Sequence, residues 1–176
     1  FPHVYATLFS GFYMALFLLL MALIVRGVAF EFRSKDENRT WRATWDWMIF
    51  IGSAVPALLW GVAVANLIQG VPIDEKMHYV GNFFDLLSPY TLTGGLTFLL
   101  VFLFHGALYL ALKVDTKLVE RIRQTALGSG AAAALVFLGL LGLSYVKTDL
   151  FASSLATAAF WGAAVVFVLG YILAWQ

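Results

Sequence analysis

Five apolar runs, each long enough to cross a bilayer, constrain this chain more than any other feature. They lie near Tyr5–Phe30, Asp46–Gln69, Tyr90–Leu112, Ile122–Val146 and Leu155–Trp175. A spanning helix needs about 20 mostly apolar residues. Lipid offers the backbone no hydrogen-bond partner, so only helices and closed barrels cross it. These runs lack the alternation of barrel strands. The expected fold is all-α: a multi-pass transmembrane helical bundle with about five spanning helices, one domain over residues 1–176. Composition agrees, with 62% hydrophobic and 12% charged residues. Soluble domains carry about 45–50% and about 25%.

The charges orient the bundle. Arg26, Arg33, Lys35, Arg39 and Arg42 fall around the first connection, and Lys113, Lys117, Arg121 and Arg123 around the third. The other two connections hold only Lys76 and Lys147. Basic residues concentrate on the cytoplasmic side, so the first and third connections face the cytoplasm. The net charge of +1 gives no case for nucleic-acid binding. The absence of cysteine excludes disulfides, thiolate metal sites and thiol catalysis. Phe1 falls within an apolar run with no basic region before it and no small-residue cleavage site after it, which argues against a signal peptide. The chain reads as a piece of a longer membrane subunit.

The stretch from Ala22 to Pro56 carries most of the chemistry. Ionisable groups at a membrane boundary are costly and point to a function. Arg26 and Glu31 are five residues apart, an imperfect spacing for a helical ion pair. Arg26 either snorkels to the interface or meets a group on another subunit. Glu31 is bracketed by Phe30 and Phe32. Desolvation there would favour its neutral form, and it is expected to take protons from the cytoplasm. Asp46 suits the N-cap of the second span, with a proton-relay role as the alternative. Trp41, Trp45 and Trp47 crowd the same boundary, more than an aromatic belt needs, and are candidates for a subunit interface. Pro56 is expected to kink the second span.

Other polar groups are ambiguous. His105 lies mid-span, between Phe104 and Gly106. A single imidazole suffices for a five-coordinate haem, but a packed or hydrogen-bonded histidine is the plainer reading. Ser10, Tyr13, Ser53, Asn66, Thr91, Thr93 and Thr97 either form a hydrogen-bonded path or bond back to helix carbonyls, the usual case. Gly128 to Ala134 in the fourth span, and Ala156, Ala158, Ala159, Gly162, Ala163 and Ala164 in the fifth, are small residues suited to close helix packing. The second connection, Gly70 to Pro89, is apolar enough at its middle to lie along the outer surface. No metal signature, phosphate-binding loop or nucleophile triad occurs.

Several of these residues fall in ordered motifs. They include Phe9-Ser10-Gly11-Phe12-Tyr13, the run from Arg26 to Arg33, and Trp41-Arg42-Ala43-Thr44-Trp45-Asp46-Trp47. Phe50-Ile51-Gly52-Ser53, the run from Asn66 to Pro72, and Gly81-Asn82-Phe83-Phe84 follow in order. Over roughly the first 110 residues the sequence resembles subunit II of the bacterial cytochrome bd-type quinol oxidases. Beyond Lys113 the likeness rests on helix pattern. The resemblance implies a complex that oxidises quinol and reduces dioxygen to water with cytoplasmic protons. It places haem b and haem d on subunit I and none on this chain, with a structural quinone in some members. It implies that Glu31 and Arg26 stand at the family's proton-route positions, with Asp46 and Ser10 as further candidates. Trp41, Trp45, Trp47 and Phe83 become candidates for the contact with subunit I. The expected partners are subunit I, a small single-helix subunit, quinol and the lipid of the bacterial cytoplasmic membrane. The family's first helix and last helices are missing, so any proton route drawn here is incomplete.

Two rival classes make distinct forecasts. A haem-anchoring subunit would use His105 as iron ligand. A small-solute transporter would enclose a polar cavity near broken helices.

Overall fold

The computed structural model describes residues 2–114, 118–151 and 154–175. Six helices follow in order: α1 Pro2–Gly11, α2 Tyr13–Phe32, α3 Arg39–Gln69, α4 Pro89–Lys113, α5 Val119–Lys147 and α6 Ser154–Trp175. Helices α2 to α5 are long and apolar enough to cross a membrane. Successive helices α2, α3, α4 and α5 pack side by side in up-and-down order. The connection from α2 to α3 is short and favours antiparallel neighbours, while the longer one from α3 to α4 is itself folded. Helix α6 occupies the fifth expected span, but its described apolar stretch, Trp161–Gly170, is shorter, and it touches α5 only lightly. Phe1, Lys117 and Gln176 lie outside the described residues.

The first span departs from expectation at Phe12. That residue has φ −92° and ψ 7°, so α1 and α2 are separate helices. The hydrogen bonds Phe12 N–H to Leu8 O (2.9 Å) and Leu16 N–H to Phe12 O (2.8 Å) carry the chain across the flaw. Phe12 turns its ring inward, 4% exposed, against Ala15 and Leu86.

The second span begins earlier than the apolar pattern suggested. Asn38, not Asp46, caps α3: its side chain accepts the Thr40 N–H at 2.8 Å. The helix passes through the buried Pro56 and ends at Gly70, whose φ of 87° only glycine adopts freely. Helix α4 starts with Ser88 as cap and Pro89 in its first turn. Ser88 Oγ accepts the Thr91 N–H at 3.2 Å. Ser88→Ala is expected to cost about 1 kcal/mol, read as a lower thermal midpoint of the purified protein.

Glycine and alanine set the helix spacing. A Cβ on Gly52 would lie 2.7 Å from Ala22 O and 2.8 Å from Arg26 Cβ, so α2 and α3 meet backbone to backbone there. Gly61 faces Gly94 and Gly95 in the same way where α3 crosses α4. Of the small residues Gly128 to Ala134 in α5, Ser129, Gly130 and Ala133 are buried, while Gly128 and Ala131 are exposed; Ala126, one turn earlier, is buried too. A buried hydrogen bond joins Tyr90 Oη to Ser144 Oγ at 2.9 Å, tying α4 to α5. In α6 only Ala164 of the described small side chains is buried, while Ala158, Gly162 and Ala163 are exposed. The side chains of Ala156 and Ala159 lie outside the described residues.

The outer connection is ordered, as its composition implied. Asp74 Oδ1 accepts the N–H groups of Lys76 (3.0 Å) and His78 (2.6 Å). Asp85 and Asn82 form a reciprocal cap on the 3-10 turn Phe83–Leu86. The Leu86 carbonyl accepts from Asn66 Nδ2 at 2.8 Å and from Thr91 Oγ1 at 2.7 Å, which fastens this turn to α3 and α4. Tyr79 packs against Gly11 and donates to Asn82 O at 2.9 Å. Burial, and then the charge of Asp85, push its phenol above the usual range.

Candidate site at the corner of the first two spans

The end of α2, the tight connection and the first two turns of α3 form one corner. The chain reverses over a few polar residues because local hydrogen bonds hold it. Asp36 Oδ1 accepts the Asn38 N–H at 2.9 Å, and Asp36 O accepts from Arg42 Nε at 3.2 Å. Trp41 Nε1 donates to Phe32 O at 2.9 Å, a helix-end carbonyl that also accepts the Lys35 N–H at 3.1 Å. The Phe32 ring lies 5.4 Å from Trp45, and Trp45 lies 5.6 Å from Trp41. Trp41 and Trp45 therefore fasten this corner internally. The Trp45 indole N–H is buried without a partner among the described residues. Trp47 differs: it is 64% exposed and stands edge-on to Phe50 at 5.6 Å.

Asp46 does not cap a helix. It lies in the second turn of α3 and takes both arms of Arg33, Nε at 2.5 Å and Nη2 at 3.3 Å. The bond to Asp46, and then its charge, raise the affinity of Arg33 for its proton. An arginine carries its charge at any working pH, so this bidentate pair is a fixed clasp between α2 and α3.

Glu31 was expected to be desolvated between two phenylalanines. In this chain its side chain is 71% exposed and pairs with Lys35 at 3.0 Å, one helical turn on. The flanking rings are exposed as well, Phe30 at 57% and Phe32 at 44%. Glu31 thus stands on an apolar face that no described part of this chain covers. Arg26 does not reach it: its guanidinium lies over the Phe30 ring at 5.8 Å, and no carboxylate pairs with it among the described residues. Ser10 sits exposed in α1, on the other side of the break at Phe12 and the whole length of α2 away from Glu31. The corner therefore gathers Glu31, Asp46, Trp41 and Trp45 but not Ser10. Arg33 and Lys35, which sequence reasoning counted only as charges, turn out to be the direct partners. Their spacing to Glu31 and across the turn was the available signal.

Other expected sites fall elsewhere. Phe83 is half-buried against the chain's own core of Phe12, Ala15 and Leu86, and Phe84, 78% exposed, carries the outward ring. His105 is exposed on α4 rather than packed, and it has no hydrogen-bond partner among the described residues. It is not among the residues lining the two cavities described next. Ser53, Thr93 and Thr97 bond back to carbonyls of their own helices at 2.7, 2.8 and 2.9 Å. The two cavities, about 490 and 210 Å³, are lined almost wholly by apolar side chains. The transporter reading forecast a polar cavity, and these do not supply it. Among the described residues no three His, Asp or Glu side chains converge as a metal site would require.

The sequence profile of the family described as cytochrome bd terminal oxidase subunit II matches residues 1–176. The chain belongs to that family. It is 47% identical over 149 residues to cytochrome bd-I ubiquinol oxidase subunit 2 of Escherichia coli K12, covering 82% of this chain and 38% of the relative. It is 44% identical over 152 residues to a probable cytochrome oxidase subunit 2 of Haemophilus influenzae, covering 84% and 40%. It is 36% identical over 151 residues to cytochrome bd ubiquinol oxidase subunit 2 of Bacillus subtilis, covering 86% and 45%. The chain thus spans about two fifths of the length of these cytochrome bd subunits. Its helices of membrane-crossing length and its bacterial relatives place it in the bacterial cytoplasmic membrane.

Proposed function

We propose that this part of a cytochrome bd subunit II supports the haem-bearing subunit I and helps carry cytoplasmic protons to the site where dioxygen is reduced. Haem b and haem d belong to subunit I in this reading, and electrons come from quinol. The relatives named as ubiquinol oxidase subunits support the reaction class. One observation carries the local role: Glu31 is a carboxylate on an exposed apolar face at the end of α2, between two exposed aromatic rings; the basic residues around the connection that follows support a cytoplasmic side. Such a group in lipid is costly unless a neighbouring subunit or a water-lined passage receives it. Lys35 gives it a counter-charge from the aqueous side. The Arg33–Asp46 clasp and the Trp41–Phe32 hydrogen bond hold the corner that presents it.

The test is Glu31→Gln in the complete complex. Oxygen consumption and proton uptake are expected to fall together, at least roughly tenfold, the scale of losing a positioned proton carrier. Haem content and subunit I recovery should stay unchanged, and Glu31→Asp should restore part of the rate. Full turnover in Glu31→Gln would remove Glu31 from the route. Loss of haem with loss of rate would assign it to assembly instead.

A further inference from the structure

The larger cavity lies between α3, α4 and α5, in the half of the bundle nearer the basic connections. It holds about 490 Å³ and is bounded by Phe50, Ala54 and Ala57 on one side and Leu103, Gly106 and Leu110 on another. From Leu99 to Leu110 it follows α4 for roughly 16 Å at about 1.5 Å per residue. Its wall has two hydroxyls, and both protons are committed. Ser53 donates to Ile49 O at 2.7 Å, and Thr125 donates to Arg121 O at 2.9 Å. No side-chain hydroxyl proton remains for a polar ring. The groove suits a plain hydrocarbon chain.

Its cytoplasmic rim has the opposite character. Lys113 follows Leu110 by three residues, and Arg121 precedes Thr125 by four, so both continue the lining faces by one turn. Both are exposed, and Lys113 Nζ stands 6.0 Å over the Tyr109 ring. Trp47 stands against the lining residue Phe50 at the same level. Among the described residues Asp46 is paired with Arg33, and Glu120, which accepts from Gln124 at 3.4 Å, is the acid left against Lys113, Arg121 and Arg123. An apolar slot under two cations and an amphipathic ring matches one molecule of the inner leaflet in charge and shape.

We propose that this groove binds an anionic glycerophospholipid, with an acyl chain between α3, α4 and α5 and the phosphate at Lys113 and Arg121. The proposal is independent of the proton reading. A Cβ on Gly106 meets nothing within 4 Å, so Gly106→Leu narrows the slot from its wall and improves helix propensity. The complete complex is purified, delipidated and reconstituted with phosphatidylglycerol, and bound lipid is weighed by native mass spectrometry. Wild type is expected to retain phosphatidylglycerol. The double variant Lys113→Gln, Arg121→Gln should bind it roughly thirtyfold more weakly, the loss of two surface charges. Gly106→Leu should not retain it at all. Equal retention in all three overturns the proposal. So does finding that the molecule displaced by Gly106→Leu is a quinone, or that wild type retains none because the rest of the subunit fills the groove.

Discussion

Gly61→Leu is expected to abolish accumulation of the folded subunit. At this crossing α3 and α4 touch through backbone. A Cβ on Gly61 would meet Gly94 O, approach Gly95 Cα at 2.7 Å and reach Phe98 Cβ at 2.8 Å. The first two obstacles are main-chain atoms of a helix, which cannot turn aside as a side-chain tip can. Extra bulk in a packed site usually costs about 1–3 kcal/mol, and more where nothing yields. A leucine adds three further carbons beyond that Cβ, so the expected penalty lies above this range. In lipid the close approach is itself the driving force for association, so the loss is double. Yield and thermal midpoint of the complex measure it. Gly139→Ala is the control, since a Cβ there meets nothing within 4 Å. A Gly61→Leu complex with the yield and midpoint of wild type would refute the backbone contact.

Asn66→Ala is expected to have the next largest effect. Asn66 is 4% exposed, and its amide donates to Val62 O and to Leu86 O, both at 2.8 Å. The second bond crosses from α3 to the turn before α4. Leu86 is itself 2% exposed, and its carbonyl keeps only Thr91 when Asn66 is gone. A weakened buried acceptor and a small void together are expected to cost about 2–3 kcal/mol. The local readout is faster proteolysis of the outer connection, ahead of global unfolding. If the connection resists protease as in wild type, this tie is not what holds it.

The spanning helices were legible because hydrocarbon enforces a simple rule, and runs such as Tyr90–Leu112 obey it. The start of α3 was not. Arg39 to Trp45 carries charges and indoles that look like a loop, yet Asn38 caps a helix through them. Asp46 resembled a cap because it opens the apolar run. Its partner Arg33 lies across the turn, a relation that composition does not display. The α3–α4 crossing was equally hidden: Gly61, Gly94 and Gly95 acquire meaning only when the helices are laid together. Small residues in α5 were readable since they cluster within one run. The Arg26–Glu31 segment drew attention because charges stand there among apolar residues. Its exposure in this chain follows from the face of α2 that it occupies, and mid-span residues such as His105 gave no warning of their outward position.

The outer connection has a consequence for the order of folding. Its side-chain bonds join residues two to four apart: Asp74 with Lys76 and His78, Asn82 with Asp85, Tyr79 with Asn82; its backbone bond from Val80 N–H to Pro72 O, at 3.2 Å, spans eight. Met77 sits at φ 63° within that short circuit. Nearby partners meet early because little chain entropy is lost in closing small loops. This hairpin can therefore take shape on the far side of the membrane once it has crossed. Leu86 then arrives as a ready-made socket, and the docking of α4 onto α3 becomes the fastening of preformed pieces.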